Sequence, residues 1–559
     1  VVVADTPEAC QPEGECDPDS PLQCSCPTRE QVQPPQKIPF QATVKNRLRL
    51  ENYIKEYFKS SAFNVCRRQK MPETQGPPMK IHTKPDAVPH LVHRPAAVPL
   101  HWREKVAKDI DTDVRRGILE RVPPGVPDTW CTRMVITRKK NGEPRRTVDL
   151  AKLTKAGIRE THHTRSPFKI VCSIPKDTFK STLDCQDGYH GVPLAPEDRH
   201  KTTFITEQGR FRYARAPQGY GSSNDGYTQR TDAILSGCPG KPEVQDYDKI
   251  VDDIIQWSDS MEQAFNRICS ILSHCSKAGM VFNPDKFQFA KDELQYAGYM
   301  VGGTKIRPTD SYLQAIRDFP TPQNISDMRS WYGLINQVAY SFSKTAVMEP
   351  FRKFLKPSTP YVWTDELDKA FKDSKRKIID LVREGVNQFV VDRHTCLSTD
   401  YSKSGIGWVL QQKNCKCVPI TPRCCPGGWN LILAGGRFNI PAETRYSPTE
   451  GEALAIAVAL ESSRYYTLGC PKLIVATDHK PLLGIFGDRA LDTIDNTRLV
   501  RIKQKTLPWS FDLLYVPGKQ HVAADGFSRR NQKAVLHLLA EIAEHGVRYK
   551  IQASPSGQS

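Results

Sequence analysis

Long apolar runs are missing from this chain of 559 residues. Nowhere do about 18 apolar residues follow one another, which excludes an ordinary membrane-spanning helix. The opening, VVVADTPEACQPEGE, has neither the basic start nor the apolar stretch of a signal peptide, and no initiating Met. The chain is therefore expected to be soluble, unsecreted and a fragment or a piece cut from a longer precursor. Paired C-x2-C spacing is lacking too. The 17 cysteines are odd in number and mostly scattered, which argues against a disulfide framework and for a reducing compartment. Two clusters, Cys10, Cys16, Cys24 and Cys26 near the start and Cys415, Cys417, Cys424 and Cys425 in CKCVPITPRCC, do not have the spacing of a common structural zinc site and read as ordinary loops. Acid is in short supply: 62 Asp+Glu face 79 Lys+Arg, a formal charge of +17. That balance favours a polyanionic partner. There is no internal repeat.

The length suits about two to four domains. Residues 1–85 are turn-rich, broken by PDSP, QPPQ and QGPP, with one helical interval at 45–63, and read as a linker or appendage. From 86 the pattern changes. VPLHWREKVAKDIDTDVRRGILERV carries Val106, Ile110, Val114, Ile118 and Leu119 at helical spacing and predicts a helix ending near Pro123. MVIT and RTVDL predict strands about the turn KKNGEP. Further strands (FKSTLDC, KTTFIT, GRFRYAR, KFQFAK, LQYAGYMV), a hairpin at KIVDDIIQW and helices at 222–235 and 260–279 complete an α+β region to 304. Residues 305–385 read as mainly helical, 386–531 as an α/β unit, and 532–559 as a tail with one helical stretch.

In this basic chain IVDDII places Asp252 and Asp253 between strand-forming residues. Two divalent ions about 4 Å apart can neutralise a triphosphate, activate a hydroxyl and steady a leaving group, and they need carboxylates converging from different elements. Asp184, ending STLD, is the complement if its strand neighbours the hairpin. Tyr189 follows in LDCQDGYHGVPL, Gln218 and Gly219 follow a strand in RYARAPQGYG, and RKKNGEPRR offers Lys140 and Arg145 to phosphate oxygens. A second set lies in the later unit: Asp400 ends CLSTD, Glu452 lies in TEGEALAIAVAL, Asp478 ends LIVATD and Asp525 sits in GKQHVAADGFSR. Four acids on four elements would repel one another without cations, and they fit two-metal phosphodiester hydrolysis.

The ordered blocks WCTRMVITRKKNGEPRRTVDL, FKSTLDCQDGYHGVPL, TTFITEQGRFRYARAPQGYG, IVDDII, GMVFNPDKFQFA and LQYAGYMV resemble the reverse transcriptases of gypsy-type long-terminal-repeat retrotransposons. T-D-x-S-x-x-G-x-G, Y-S-x-T-E, T-D-H-K-P-L and P-G-K-x-H-x-x-A-D-x-x-S-R resemble the ribonuclease H tethered to them. The resemblance spans 90–530 and implies a right-hand polymerase of fingers and palm (86–304) and thumb and connection (305–385), followed by a ribonuclease H-like domain (386–531). It implies RNA- and DNA-directed DNA synthesis and hydrolysis of RNA in RNA/DNA hybrids, with Mg2+, or Mn2+ in its place, at two ions per site. Asp184, Asp252 and Asp253 would be the palm triad, Tyr189 the gate against a ribose 2′-hydroxyl, Lys140, Arg145, Gln218 and Gly219 the nucleotide contacts, and Gly298 and Tyr299 the primer grip. Asp400, Glu452, Asp478 and Asp525 would be the nuclease acids, with Glu450 as the competitor for the helix position.

Implied partners are an RNA template, DNA primer and product, the hybrid and deoxynucleoside triphosphates, with no membrane, and a second copy or other polyprotein products besides. Location would be cytoplasmic, within virus-like particles, and nuclear at a later stage. The sequence departs from the family at Ile250, where Tyr is usual, at Ala151, at PQGYGSSND, and at Tyr401 beside Asp400. Those departures motivate an alternative, a non-catalytic nucleic-acid-binding or structural subunit; a host-domesticated element protein is another. Neither a D-[ST]-G protease signature nor an integrase set is found.

Overall fold

The computed structural model describes residues 29–59, 61–63, 70–138, 142–240, 245–342, 347–356, 359–418, 420–422, 424–425, 427–487 and 489–518. Lys140, Asp525, the four N-terminal cysteines and the tail from 532 lie outside the described residues. The chain divides into two compact units, one of residues 1–170 and 177–292, the other of 171–176 and 293–559.

In the first unit α1 (Arg47–Tyr57) and α2 (Arg103–Arg115) precede the strands. α2 buries Val106 and Ile110 but stops well before Pro123. Gly117 turns the chain at φ +72°, and Leu119–Arg121 becomes strand β1, antiparallel to the strand Gly209–Tyr213. Ile118 and Leu119, expected on the helix, are thus core residues of a sheet. Strands β2 (Thr132–Arg138) and β3 (Pro144–Val148) form the expected hairpin. β4 is Phe179–Asp184, β5 Phe204–Thr206 and β6 Gly209–Tyr213, and one five-stranded sheet runs β1-β6-β5-β2-β3. α3 (Ser223–Ser236) follows, then β7 (Tyr247–Ile250), β8 (Asp253–Ser258), α4 (Met261–Lys277) and β9 (Gln288–Lys291). The second sheet has the order β7-β8-β4-β9. α4 is backed onto it through Phe265, Ile268 and Leu272, and its start is capped by the Ser260 hydroxyl, which accepts from the Gln263 amide.

Residues 47–63, expected as part of an appendage, belong to that same core. Leu50, Ile54, Phe58 and Phe63 are buried with Phe265, Phe282 and Phe289. The reason is the apolar stripe of α1, which has no other surface to cover.

The second unit opens with the hairpin β10 (Leu294–Tyr296) and β11 (Tyr299–Val301), then β12 (Lys305–Pro308). β12 also pairs with β13 (Val386–Asn387), so the hairpin is tied to the segment beyond the helices and falls in this unit, not with residues up to 304. Between them lie α5 (Asp310–Asp318), α6 (Ile325–Asn336) and α7 (Asp365–Arg383), packed around the fully buried Trp331, whose ring meets Phe319 and Phe371 at 5.3 and 5.0 Å. The last sheet comprises β14 (Thr395–Tyr401), β15 (Gly405–Lys413), β16 (Trp429–Phe438), β17 (Leu473–Thr477) and β18 (Asp512–Tyr515). Its order is β16-β15-β14-β17-β18, antiparallel through β14 to β16 and parallel from β14 to β18. α8 (Pro448–Ser462), apolar nearly all round, packs on it beside α9 (Thr497–Thr506).

Candidate active sites

Strand pairing gathers the first acidic set. Asp184 ends β4 and stands opposite Asp253, the first residue of β8. The β7–β8 turn consists of Val251 and Asp252, and Val251 sits at φ +53°. That is an uncommon conformation for a β-branched side chain, held here by packing against Val192, Ala216 and Tyr227. The Cys185 amide donates to the Asp252 carbonyl at 2.9 Å and locks the turn against the end of β4. Gly188 completes the approach: a Cβ there would lie 2.6 Å from Asp252 Oδ1 and 2.5 Å from the Tyr227 hydroxyl.

Crowding marks the electrostatics. Burial raises the Asp252 carboxyl above its ordinary value, against the opposing pull of the Tyr227 hydroxyl. Asp253 is pushed up to about 6, first by loss of water and then by hydrogen bonding with Asp184. Lys286 Nζ donates to Asp184 Oδ2 at 2.8 Å. Sequence reading passed over this lysine, although it lies in the quoted block GMVFNPDKFQFA; nothing in its spacing signals a contact with a strand 102 residues earlier.

The other first-unit candidates differ in exposure and in what holds them. Tyr189 is half-buried, its hydroxyl donating to Asn224 Oδ1 at 3.1 Å and its ring 5.1 Å from that of Tyr227. Gln218 and Gly219 are exposed, with Gly219 at φ +91°. Arg145 is exposed on β3, whereas its neighbour Arg146 is held by Asp113 at 2.6 Å. In the second unit Ala297 and Gly298, both at positive φ, make the two-residue turn of the β10–β11 hairpin, the backbone of a type I′ turn. Tyr299 is buried against Tyr340, so the turn, not the Tyr299 ring, is what the hairpin offers outward.

The second acidic set converges more tightly. Carboxylate oxygens of Asp400, Glu452 and Asp478 all lie within 4.8 Å of one another. Asp400 comes from β14, Glu452 from α8 across the sheet, and Asp478 from the end of β17, which runs parallel to β14. Among the described residues Asp184, Asp252 and Asp253 do not form so close a group. Glu452 Oε1 accepts from the Tyr401 amide at 3.2 Å. A Cβ at Gly518 would lie 3.1 Å from Asp478 Oδ2, so the chain after β18 passes this acid.

Glu450 has a different task. It forms a capping box with Ser447 at the start of α8 and accepts from Asn496 Nδ2 at 3.0 Å and Arg498 at 2.9 Å. Burial works to raise its carboxyl, but the hydrogen bonds from Asn496 and Ser447 and the Arg498 charge outweigh that and hold it below the ordinary value. Tyr401, the bulky neighbour of Asp400, turns away from the acids. Its hydroxyl donates to the Glu443 carbonyl at 2.6 Å and its ring lies over Gly451, where a Cβ would come within 2.3 Å of it.

An all-oxygen donor set of clustered carboxylates suits a hard divalent cation, and the group of Asp400, Glu452 and Asp478 meets that requirement.

Comparison with known proteins finds two matches along the chain. Residues 139–301 match the family described as reverse transcriptase (RNA-dependent DNA polymerase), and 390–507 match the RNase H-like domain found in reverse transcriptase. The chain is 27% identical over 408 residues to the retrovirus-related Pol polyprotein from transposon gypsy of Drosophila melanogaster, covering 71% of this chain and 37% of that protein. It is 26% identical over 452 residues to that from transposon opus of the same fly, covering 77% and 42%. It thus spans less than half the length of these relatives. Its fold is similar to the foamy viral protease-reverse transcriptase solved in complex with double-stranded DNA, with a TM-score of 0.69 at 15% identity over 87% of this chain and 99% of that one. Against the same viral protein with an RNA/DNA hybrid the TM-score is 0.67 at 16% identity, over 86% and 64%.

Proposed function

Because the chain joins a reverse transcriptase domain to the RNase H-like domain of reverse transcriptases, we propose that it is a bifunctional enzyme of a gypsy-type element. It extends a DNA primer on RNA or DNA templates and hydrolyses the RNA strand of the resulting hybrid. The observation that carries this reading is that acids scattered in sequence are brought together at two places in one chain, Asp184 and Asp253 by the pairing of β4 with β8, and Asp400, Glu452 and Asp478 by β14, α8 and the end of β17.

Asp184, Asp252 and Asp253 would hold magnesium, or manganese in its place, in the first unit, and Asp400, Glu452, Asp478 and Asp525 would hold it in the second. When bound, two ions per site would neutralise phosphate charge and activate the attacking hydroxyl or water. The chain's own residues do the rest. Arg145, exposed on β3, presents charge to the triphosphate of the incoming nucleotide, and Lys140, five residues before it in sequence, would add to it. Tyr189, fixed by Asn224 and Tyr227, occupies the space a ribose 2′-hydroxyl would need and so selects deoxynucleotides. Gln218 and Gly219 offer an open backbone beneath the base, and the Gly298 turn steadies the primer end. With a formal charge of +17, affinity for template and hybrid comes through backbone phosphates and falls steeply with salt.

The test separates the two reactions. Asp252→Asn/Asp253→Asn should abolish nucleotide incorporation on a primed RNA template and leave hybrid cleavage intact; Asp478→Asn should do the reverse. Retention of both activities by both variants would defeat the assignment. Template binding without turnover by the unaltered chain would favour a non-catalytic subunit.

A further inference from the structure

The acids leave one cluster of reactive side chains without a role. β15 and β16 are the longest strands of their sheet, with nine and ten residues, yet residues 414–428 connect them instead of the usual tight turn of about two to five residues. A loop of that length needs something to hold it.

The sulfur atoms of Cys415, Cys417, Cys424 and Cys425 lie within 4.8 Å of one another, and all four are free thiols. Cys415 Sγ and Cys424 Sγ are 3.3 Å apart. A disulfide needs about 2.05 Å. Four sulfurs each about 2.3 Å from one tetrahedral zinc ion stand about 3.8 Å apart, so the cluster has the dimensions of a tetrathiolate site. From these positions we propose that Cys415, Cys417, Cys424 and Cys425 bind a zinc ion that staples the β15–β16 loop.

The surroundings are built for it. A Cβ at Gly428 would lie 2.5 Å from Cys425 Sγ and 2.9 Å from Cys415 Sγ, so only glycine lets the sulfurs converge. The neck is closed by the Asn414 amide donating to the Gly428 carbonyl at 2.7 Å. The Thr421 carbonyl accepts from the Cys424 amide at 3.1 Å and from Trp429 Nε1 at 3.0 Å. Ile420 and Cys424 pack on the buried Cys396, Trp429, Ala476 and Val516. An all-sulfur donor set selects a soft or borderline ion over magnesium or calcium.

The role is structural. Four protein ligands leave no open position for water or substrate. Asp400 pairs with Gly407, and the cysteine loop begins beyond Lys413, about 20 Å along β15 at about 3.4 Å per residue. The C-x-C and C-C spacing reads as a loop because folding, not sequence distance, brings the two halves together.

The experiment uses the full chain purified under reducing conditions, loaded with zinc alone and dialysed, with metal measured by mass spectrometry of the elements. Cys415→Ser/Cys424→Ser should lose about one equivalent of zinc relative to the unaltered chain, whereas Cys10→Ser/Cys16→Ser should leave the loop's equivalent in place. Cobalt loaded into the unaltered chain should give the intense thiolate charge-transfer and tetrahedral ligand-field bands of four-sulfur ligation, a reading independent of how any variant folds. Equal zinc in the unaltered chain and the loop variant, absence of those bands, or a disulfide joining the loop cysteines in non-reduced peptide maps would overturn the proposal.

Discussion

Glu450 and Glu452 are two residues apart on one helix and look interchangeable as acids, yet their neighbours assign them opposite tasks. Glu450 closes a capping box and receives Asn496 and Arg498, while Glu452 joins Asp400 and Asp478. Glu452→Gln should therefore abolish hybrid cleavage with thermal stability unchanged or slightly raised, since one of three crowded negative charges is removed. Glu450→Ala should retain cleavage in the folded protein and lose about 1–2 kcal/mol of stability at neutral pH. The Glu450 carboxyl is depressed on folding, so its contribution is present above its unfolded pKa of about 4.3 and is lost as pH falls through the lower folded value. Urea unfolding at pH 7 and at pH 3 should show a smaller gap between the two proteins at the acid pH. The choice between these glutamates was open to sequence reasoning only through the apolar face that follows Glu452. Lys286 was not legible at all, because its partner Asp184 reaches it through sheet geometry.

At the scale of elements, hydrophobic period carried the reading where one period dominates. α4 and α7 bury residues three and four apart, and β4 and β14 lie where FKSTLDC and CLSTD were read as strands. It misled at β1, because Ile118 and Leu119 continue the spacing of α2 and only Gly117 marks the stop. The contact of α8 with β14 carries information no single element holds: Tyr401 is accommodated by the missing side chain of Gly451. Gly451→Ala should cost about 1–3 kcal/mol through overpacking. Introduced into a Tyr401→Ala protein, the same change should be neutral or stabilising by up to about 1 kcal/mol, since alanine is the better helix former. A double-mutant cycle by thermal or urea unfolding should return a coupling of about 1–3 kcal/mol; simple additivity would refute this packing account.

At the scale of the whole chain, the order of the two family matches, reverse transcriptase and then RNase H-like, was readable from motif order, whereas the share of the N-terminal segment in the first core was not. Proline-rich turns around 47–63 give it the look of a linker, and only the tertiary fold shows where its apolar stripe goes. Each buried side chain of Leu50, Ile54, Phe58 and Phe63 contributes about 1.5–3 kcal/mol, against a total of about 5–15 kcal/mol for a typical domain. A chain beginning at residue 86 should accordingly be insoluble or lack a cooperative unfolding transition, while one beginning at residue 29 should keep both solubility and cooperativity. Comparison of soluble yield and calorimetric melting of the two checks this. The same packing makes α1 the hidden keystone of the first unit: a cut that released this helix would bare Phe265, Phe282 and Phe289 to water while leaving Asp184, Asp252 and Asp253 in the chain.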